Sequence, residues 1–480
     1  MSLQTAEQKP ARKKPDPEEV KAEIGAYMAR ARAAQEAIAE YTQEQADALV
    51  TSVGWHVFKD REALAQLAVD EGGFGNVQDK IAKFENRILG TLVDMASVKT
   101  CGIVEVNDEK GLVKIAKPVG VVAALIPTTG PDATPPVKGV SALKARNAIV
   151  MAPHPRTKGT SIAVVEAMRK GCEAVGAPAD LIQVIDTPSV AKTQELMQQA
   201  DLIVATGGAG MVKAAYSSGT PAYGVGVGNS VHVVDETGDI DDAATMIARA
   251  KTFDYATSCL ADNSVVAHES IYDELREKLE AAGGYFCTED EKAKLQTTMW
   301  PDGGHIPAIS VIAKSASAVA ELAGIDLPEG KSFLVVDEDG TGHDHPFSGE
   351  KLSVVLSYYK YGGGIDNAVD LVNDITSYQG WGHTCGIHTS SDDHVDALAF
   401  GTKTARVVVN QNLNEAAGSP RNGMPYTLSL ACGTWGGNIT TENVNVRHYM
   451  NLTWITRPVT PRQITPESVF ADHWDKHGQE

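Results

Sequence analysis

The sequence predicts an α/β protein with two mostly parallel sheets, and three observations carry that prediction. At 480 residues the chain exceeds one compact core and is expected to split into about two to four domains. From Gly120 onward, short apolar runs alternate with helical stretches, a β-α-β rhythm that implies parallel strands with helices on both faces. Beyond Cys259 the alternation resumes as a second set, so a second α/β domain follows the first.

Residues 1–16 (MSLQTAEQKPARKKPD) are polar and basic with no apolar stretch, which predicts a disordered tail rather than a secretory signal. Between Pro17 and about Val98, apolar residues recur at helical spacing, as in Ile24, Met28, Ala31, Ala34 and Ile38. Long amphipathic helices are expected there, broken at Glu71–Gly75. The stretch CGIVEVNDEKGLVKIA then alternates about Asn107–Gly111 and reads as a β-hairpin. Apolar runs at 120–126, 148–151, 181–185, 202–205 and 231–234 predict buried strands of the first domain. Runs at 264–267, 332–336, 352–359 and 406–410 predict those of the second. After Pro458 the chain is polar again, as suits an arm over a neighbour or a loose end. The expected domains are 17–99 with 120–253, then 254–445, with 100–119 and 446–480 as a projecting arm and C-terminal tail. An isolated hairpin is marginally stable, so the arm is expected to add to a partner's sheet.

Composition excludes several classes. The charge sum, 42 − 62 = −20, gives an acidic surface that repels phosphate backbones, so no nucleic-acid partner is expected. No apolar run reaches the ~18 residues of a membrane span. Six scattered cysteines without a C-x-x-C pair argue against a disulfide framework and a zinc ribbon. The expectation is a soluble cytoplasmic protein.

Four motifs bear on chemistry. Gly207, Gly208 and Gly210 form a turn between a strand and a helix, where backbone N–H groups either bind a phosphate or simply make a tight bend. Residues 224–229 (GVGVGN) leave one face of an extended segment bare, for a ligand or another backbone. Cys259 lies among small polar residues before a strand, which suits either an accessible nucleophile or a structural thiol. Cys385, two residues from His383, is its rival, whereas Cys101, Cys172 and Cys287 have no basic neighbours and should be inert. His343, Asp344 and His345 are followed at once by Pro346 and have no third ligand at helical spacing. They read as a solvated loop, and no metal is expected.

Seven segments, taken together and in order, resemble the aldehyde dehydrogenase superfamily, specifically its CoA-acylating branch. They are PTTGPDAT (127–134), LKARNAIVMAPHPR (143–156), ATGGAGMVKAAYSSGTPAYGVGVGN (205–229), FDYATSC (253–259), GEKLSVVL (349–356), GHTCGIHT (382–389) and ACGTWGGNITTENV (431–444). The likeness runs from about Tyr41 to Pro458. It implies a Rossmann-type nucleotide-binding domain, an α/β catalytic domain and a β-hairpin oligomerisation arm, hence a homodimer or homotetramer.

The resemblance also implies roles. Cys259 holds the nucleophile position, forming a thiohemiacetal and then, after hydride transfer, a thioester. Thr129 would aid the oxyanion, although Gly130 stands where many relatives carry Asn. Hydrolytic relatives activate water with a glutamate at the place that here reads GVGVG, so the thiol of CoA is the expected acceptor. His383 would steer or deprotonate that thiol, or else merely pack. Gly207, Gly208 and Gly210 would face the cofactor pyrophosphate, and Glu350 the nicotinamide ribose. His154 and Arg156 lie in a stretch with no carboxylate to repel a 2′-phosphate, which favours NADP while allowing NAD. Arg421, in the loop 412–425, would clamp an anionic substrate tail. Sulfoacetaldehyde is the favoured substrate, ahead of succinate semialdehyde and acetaldehyde. A hydrolytic enzyme and a non-enzymatic scaffold are the rival readings.

Overall fold

The computed structural model describes residues 16–479, so the tail expected over 1–16 lies, apart from Asp16, outside the described residues. Four helices open the chain: α1 (Pro17–Ile38), α2 (Gln43–Lys59), α3 (Arg61–Gly72) and α4 (Val77–Ala96). The buried stripe of α1 is Val20, Ile24, Met28, Ala31, Ala34 and Ile38, the helical spacing read from sequence. Asp16, Thr42 and Asn76 cap α1, α2 and α4 by accepting backbone N–H groups. The break between α3 and α4 uses two left-handed glycines, Gly73 (φ 66°) and Gly75 (φ 69°).

The first sheet has five parallel strands: β3 (Val121–Leu125), β4 (Ala148–Ala152), β5 (Ile182–Val184), β6 (Leu202–Thr206) and β7 (Ala222–Val225), in the order β5-β4-β3-β6-β7. Strands β3 and β4 are buried along their whole length, which explains their unbroken apolar sequences. Four helices accompany it: α5 (Thr134–Lys144), α6 (Lys158–Ala174), α7 (Val190–Gln199) and α8 (Ala209–Tyr216). Residues of all eight helices, α1–α8, join the strands in one core.

The second sheet holds seven parallel strands: β8 (Val231–Val234), β9 (Ser264–His268), β10 (Gly284–Phe286), β11 (Phe333–Asp337), β12 (Val355–Tyr361), β13 (Cys385–His388) and β14 (Val407–Val409). Their order is β10-β11-β12-β9-β8-β13-β14. Here the structure corrects the expected boundary at 253. Strand β8 pairs with β9 and β13, and α9 (Ile240–Thr252) buries Ala243, Ala244 and Ile247 in the second core. The chain therefore crosses between sheets at 226–230. A strand buried on both faces reads alike in either sheet; only its pairing decides which one it joins.

The hairpin forms as expected: β1 (Gly102–Asn107) and β2 (Leu112–Pro118) are antiparallel, and β15 (Met450–Thr456) adds along β2. No described helix is long and apolar enough to cross a membrane.

Candidate active site

Strand β3 is flanked by β4 on one side and β6 on the other, so the chain reverses direction across the sheet there. A crevice opens at the carboxyl ends of strands at such a switch point. It holds a cavity of about 640 Å³, walled by residues 127–130 after β3, by Gly207 and Gly208 after β6, and by Cys259 from the second unit.

The loop that presents Cys259 is held against its own preference. Asp254, Tyr255 and Ala256 are consecutive left-handed residues (φ 49°, 51° and 61°), each costing about 1–2 kcal/mol. Asp254 ties the turn down. Its carboxylate accepts from the Asn76 N–H (3.1 Å), Lys80 Nζ (3.1 Å), Lys83 Nζ (2.8 Å) and Thr257 Oγ1 (2.8 Å), while its own N–H donates to Asp79 Oδ2 (2.7 Å). All but Thr257 come from the start of α4. A Cβ at Gly75 would sit 1.7 Å from Asp254 Oδ1, so only glycine leaves room for this anchor. Asp132 completes the buried cluster, 3.0 Å from Lys83 and 3.8 Å from Lys80. Burial works to raise its carboxyl, but the two lysines outweigh it and hold it at about 2.

Cys259 Sγ lies 3.2 Å from His383 Nε2. Burial, with some help from Glu350, pushes the thiol up to about 12. Burial and the nearby Arg406 push the imidazole down to about 3. Arg406 Nη1 donates to the His383 carbonyl (3.0 Å) and so fixes the backbone that carries the ring, while His383 Nδ1 has no described partner.

The glycine segment answers both readings left open by the sequence. A Cβ at Gly228 would meet the Cys259 carbonyl oxygen at 2.4 Å, so the loop that carries Cys259 packs directly on this backbone. Gly226 has no atom near its missing side chain and borders the cleft. Glu350 Oε1 accepts from the Gly228 N–H (3.0 Å), and burial raises its carboxyl to about 8. At Gly130 a Cβ would lie 2.8 Å from Thr134 Oγ1, so the hydroxyl occupies the space an asparagine would need.

Residues 14–299 match the profile of the Aldehyde dehydrogenase family. That span is more than half of the chain, and relatives agree over nearly all of it. The chain belongs to the aldehyde dehydrogenase family. A sulfoacetaldehyde dehydrogenase from an Acholeplasma species is 45% identical, with 93% of each chain covered. An acylating sulfoacetaldehyde dehydrogenase from Bilophila wadsworthia is 43% identical over 95% of this chain and 99% of that one. Among solved structures, an acetylating aldehyde dehydrogenase from Geobacillus thermoglucosidasius superposes with a TM-score of 0.89 at 36% identity, covering 94% of this chain and 100% of the other. A Rhodopseudomonas palustris propionaldehyde dehydrogenase with bound propionyl-CoA gives 0.82 at 25%, covering 90% and 94%.

In this family member the cleft brings together Thr129, His154, Gly207, Gly208, Cys259 and Glu350, with His383 behind the thiol. Two expected site residues, Arg156 and Arg421, stand outside the cleft. Gly210 lies in the first turn of α8 without lining the cavity, and Arg156 stacks on the Phe74 ring (5.1 Å). Arg421 is half exposed, 3.7 Å from Glu415, and does not line the cleft; a nearby carboxylate on its own loop captures it. Cys385, the rival thiol, is buried in β13 beside Thr404 Oγ1 (3.4 Å). His345 bonds Glu338 (2.8 Å). Lys83 and Arg87 line the cleft and were not singled out from the sequence. Their signal was charge at positions 80, 83 and 87, on the helical stripe that also buries Phe84 and Ile88.

A dinucleotide fits this cleft on two counts. The first turn of α8 has no side-chain cap, and a Cβ at Gly208 would meet nothing within 4 Å, so its N–H groups are open to a phosphate.

Proposed function

We propose that this aldehyde dehydrogenase oxidises sulfoacetaldehyde and CoA to sulfoacetyl-CoA while reducing NADP or NAD. The observation that carries the acylating assignment is what faces Cys259. Where a base for water would stand there is bare glycine backbone, and Glu350 is the one carboxylate among the described cleft-lining residues. Glu350 is committed to Gly228 and, with its carboxyl raised to about 8, is mostly protonated at neutral pH. The two sulfoacetaldehyde dehydrogenases among the relatives support the substrate, and the propionyl-CoA complex supports the acyl acceptor.

The chemistry follows from the pair of side chains. His383 Nε2 takes the Sγ proton as Sγ bonds to the aldehyde carbon and the carbonyl electrons move to oxygen. The Cys259 N–H and the Thr129 hydroxyl, from two residues that line the cavity, would donate to that oxyanion. A nicotinamide held in this cleft would supply the acceptor for the hydride released from this carbon. Cys259 then carries a thioester. His383 first loses the Sγ proton to solvent; it then takes the CoA thiol proton as that sulfur attacks the thioester, and passes it to Sγ as the acyl–Sγ bond breaks.

Glu350 would orient the nicotinamide ribose, and Gly207 and Gly208 would receive the pyrophosphate. His154 at the cleft, with no acid in residues 152–156, favours NADP. Six free cysteines suit a reducing, cytoplasmic setting, and the β1-β2-β15 arm suits a homodimer or homotetramer. The deciding assay omits CoA. One equivalent of reduced cofactor per site followed by arrest supports acyl transfer; free sulfoacetate formed at the full rate overturns it.

A further inference from the structure

We infer that Arg87 is the residue that recognises the anionic tail of the aldehyde held on Cys259. The inference rests on the reading that the substrate is an anionic aldehyde, and it replaces Arg421 in that role.

Arg87 projects from α4 and is 9% exposed, yet it forms no ion pair among the described residues. Its partners are neutral. Nη1 donates to the carbonyls of Ala417 (2.6 Å) and Gly418 (3.1 Å), Nη2 donates to that of Asn414 (3.2 Å), and the Tyr426 ring lies 5.9 Å away. A guanidinium has five N–H groups. Three are used here, which leaves Nε–H and one Nη2–H without a described partner. The lysines on the same helix face are spoken for, since Lys80 and Lys83 share Asp132 and Asp254. Two positive and two negative charges cancel, and Arg87 remains as the unbalanced charge of this wall.

Arg87 lines the same cavity as Cys259, whose wall also includes the apolar residues Ala417, Leu428 and Leu430. Burial lowers its pKa only to about 10, so it stays a cation at neutral pH. An anion entering such a wall loses its hydration and is tolerated only beside a fixed opposite charge. A guanidinium with two free N–H groups suits the oxygens of a sulfonate. Sulfoacetaldehyde sets that group one methylene from the reacting carbon, and succinate semialdehyde sets its carboxylate two methylenes away. The two tails therefore test reach as well as charge. Arg421, by contrast, is half exposed and already faces Glu415.

The test compares kcat/KM, with CoA and NADP present, for sulfoacetaldehyde, succinate semialdehyde and uncharged propanal. Arg87→Gln should reduce the value for sulfoacetaldehyde roughly a hundredfold more than that for propanal, and Arg87→Lys should recover part of the difference. Equal losses on all three aldehydes would leave the arginine a brace for residues 414–418 and overturn the assignment. A wild-type enzyme with no preference for either anionic aldehyde is a separate result; it sinks the substrate reading and this inference together. Because Arg87→Gln also removes three loop hydrogen bonds, a second measurement uses the milder Arg87→Lys. Ethanesulfonate should protect Cys259 of the wild type from iodoacetamide, and neutral ethyl methyl sulfone should not. Half-protection should need about tenfold more ethanesulfonate in Arg87→Lys. Protection by both compounds, or equal protection of both proteins, overturns the proposal.

Discussion

Cys259 and His383 meet as an uncharged pair, and that bears on how the proposed reaction would start. The thiol sits at about 12 because burial disfavours the anion, and the imidazole at about 3 because burial and Arg406 disfavour the cation. Neither group changes charge between pH 7 and 9, so the thiolate is a small fraction that grows about tenfold per pH unit. In the free enzyme, alkylation of Cys259 by iodoacetamide should therefore accelerate about a hundredfold across that range with no plateau. A plateau near pH 7 would mean that an ion pair is already formed. Adding oxidised cofactor, whose ring is cationic, should move the curve to lower pH. His383→Ala should cost about 10²–10⁴ in kcat, the usual worth of a positioned base, and rapid-mixing measurements of cofactor reduction check it. Local pattern leaves Cys259 and Cys385 as rivals, because both sit among small residues and one has a histidine beside it; only the family resemblance favours Cys259. What separates them is tertiary: the histidine nearest Cys385 in sequence bonds the other thiol. Arg87 escaped notice for the opposite reason. Charges on a helix read as a solvated face, and only the buried partners Asp132 and Asp254, far away in sequence, reveal that this face points inward.

The left-handed residues Asp254–Ala256, which lead into Cys259, owe their shape to other elements. Helix α4 holds this stretch from one side through Lys80, Lys83 and the Asn76 cap; the glycine segment holds it from the other. Asp254→Asn keeps the shape but strands two buried lysines with a single acid. Urea unfolding should show a loss of about 3–5 kcal/mol, the usual penalty for breaking a buried pair. Gly228→Ala probes the other side. Its new Cβ would fall 2.4 Å from the Cys259 carbonyl oxygen and 2.7 Å from Cys259 Cβ, neither of which can swing aside as a flexible tip would. Displacing the nucleophile by such an amount should lower kcat about a hundredfold with cofactor affinity little altered, as cofactor fluorescence titration would report. The elements themselves were mostly legible: the helices of 17–98, the hairpin and the principal strands follow from periodicity. Membership was not. Strand β8 carries nothing in its four residues to say that it pairs with β9 and β13 rather than with β7.

At the scale of the molecule, the arm is where fold and charge pull in opposite directions. In the β1-β2-β15 register, Ile103, Val106, Val113, Ile115, Thr453 and Ile455 share one face, and Ile103 and Val106 are more than half exposed. The opposite face carries Glu105, Lys114 and Trp454, already linked by an ion pair and a cation–π contact. A three-stranded sheet with an uncovered aliphatic face is a poor free-standing structure, so a second copy is the expected cover. Association must nonetheless bring together chains that each carry 42 − 62 = −20 charges. Two consequences can be measured by sedimentation. The protein should run as a dimer or tetramer at micromolar concentration, and raising the salt should tighten that assembly, because screening removes the repulsion and leaves apolar burial intact. The double variant Ile103→Lys/Val106→Lys should shift it to monomers while near-ultraviolet circular dichroism stays unchanged, since neither residue belongs to the cores of the two large sheets. A wild type that sediments as a monomer at every salt concentration would leave the aliphatic face without a partner and refute the assembly role of the arm.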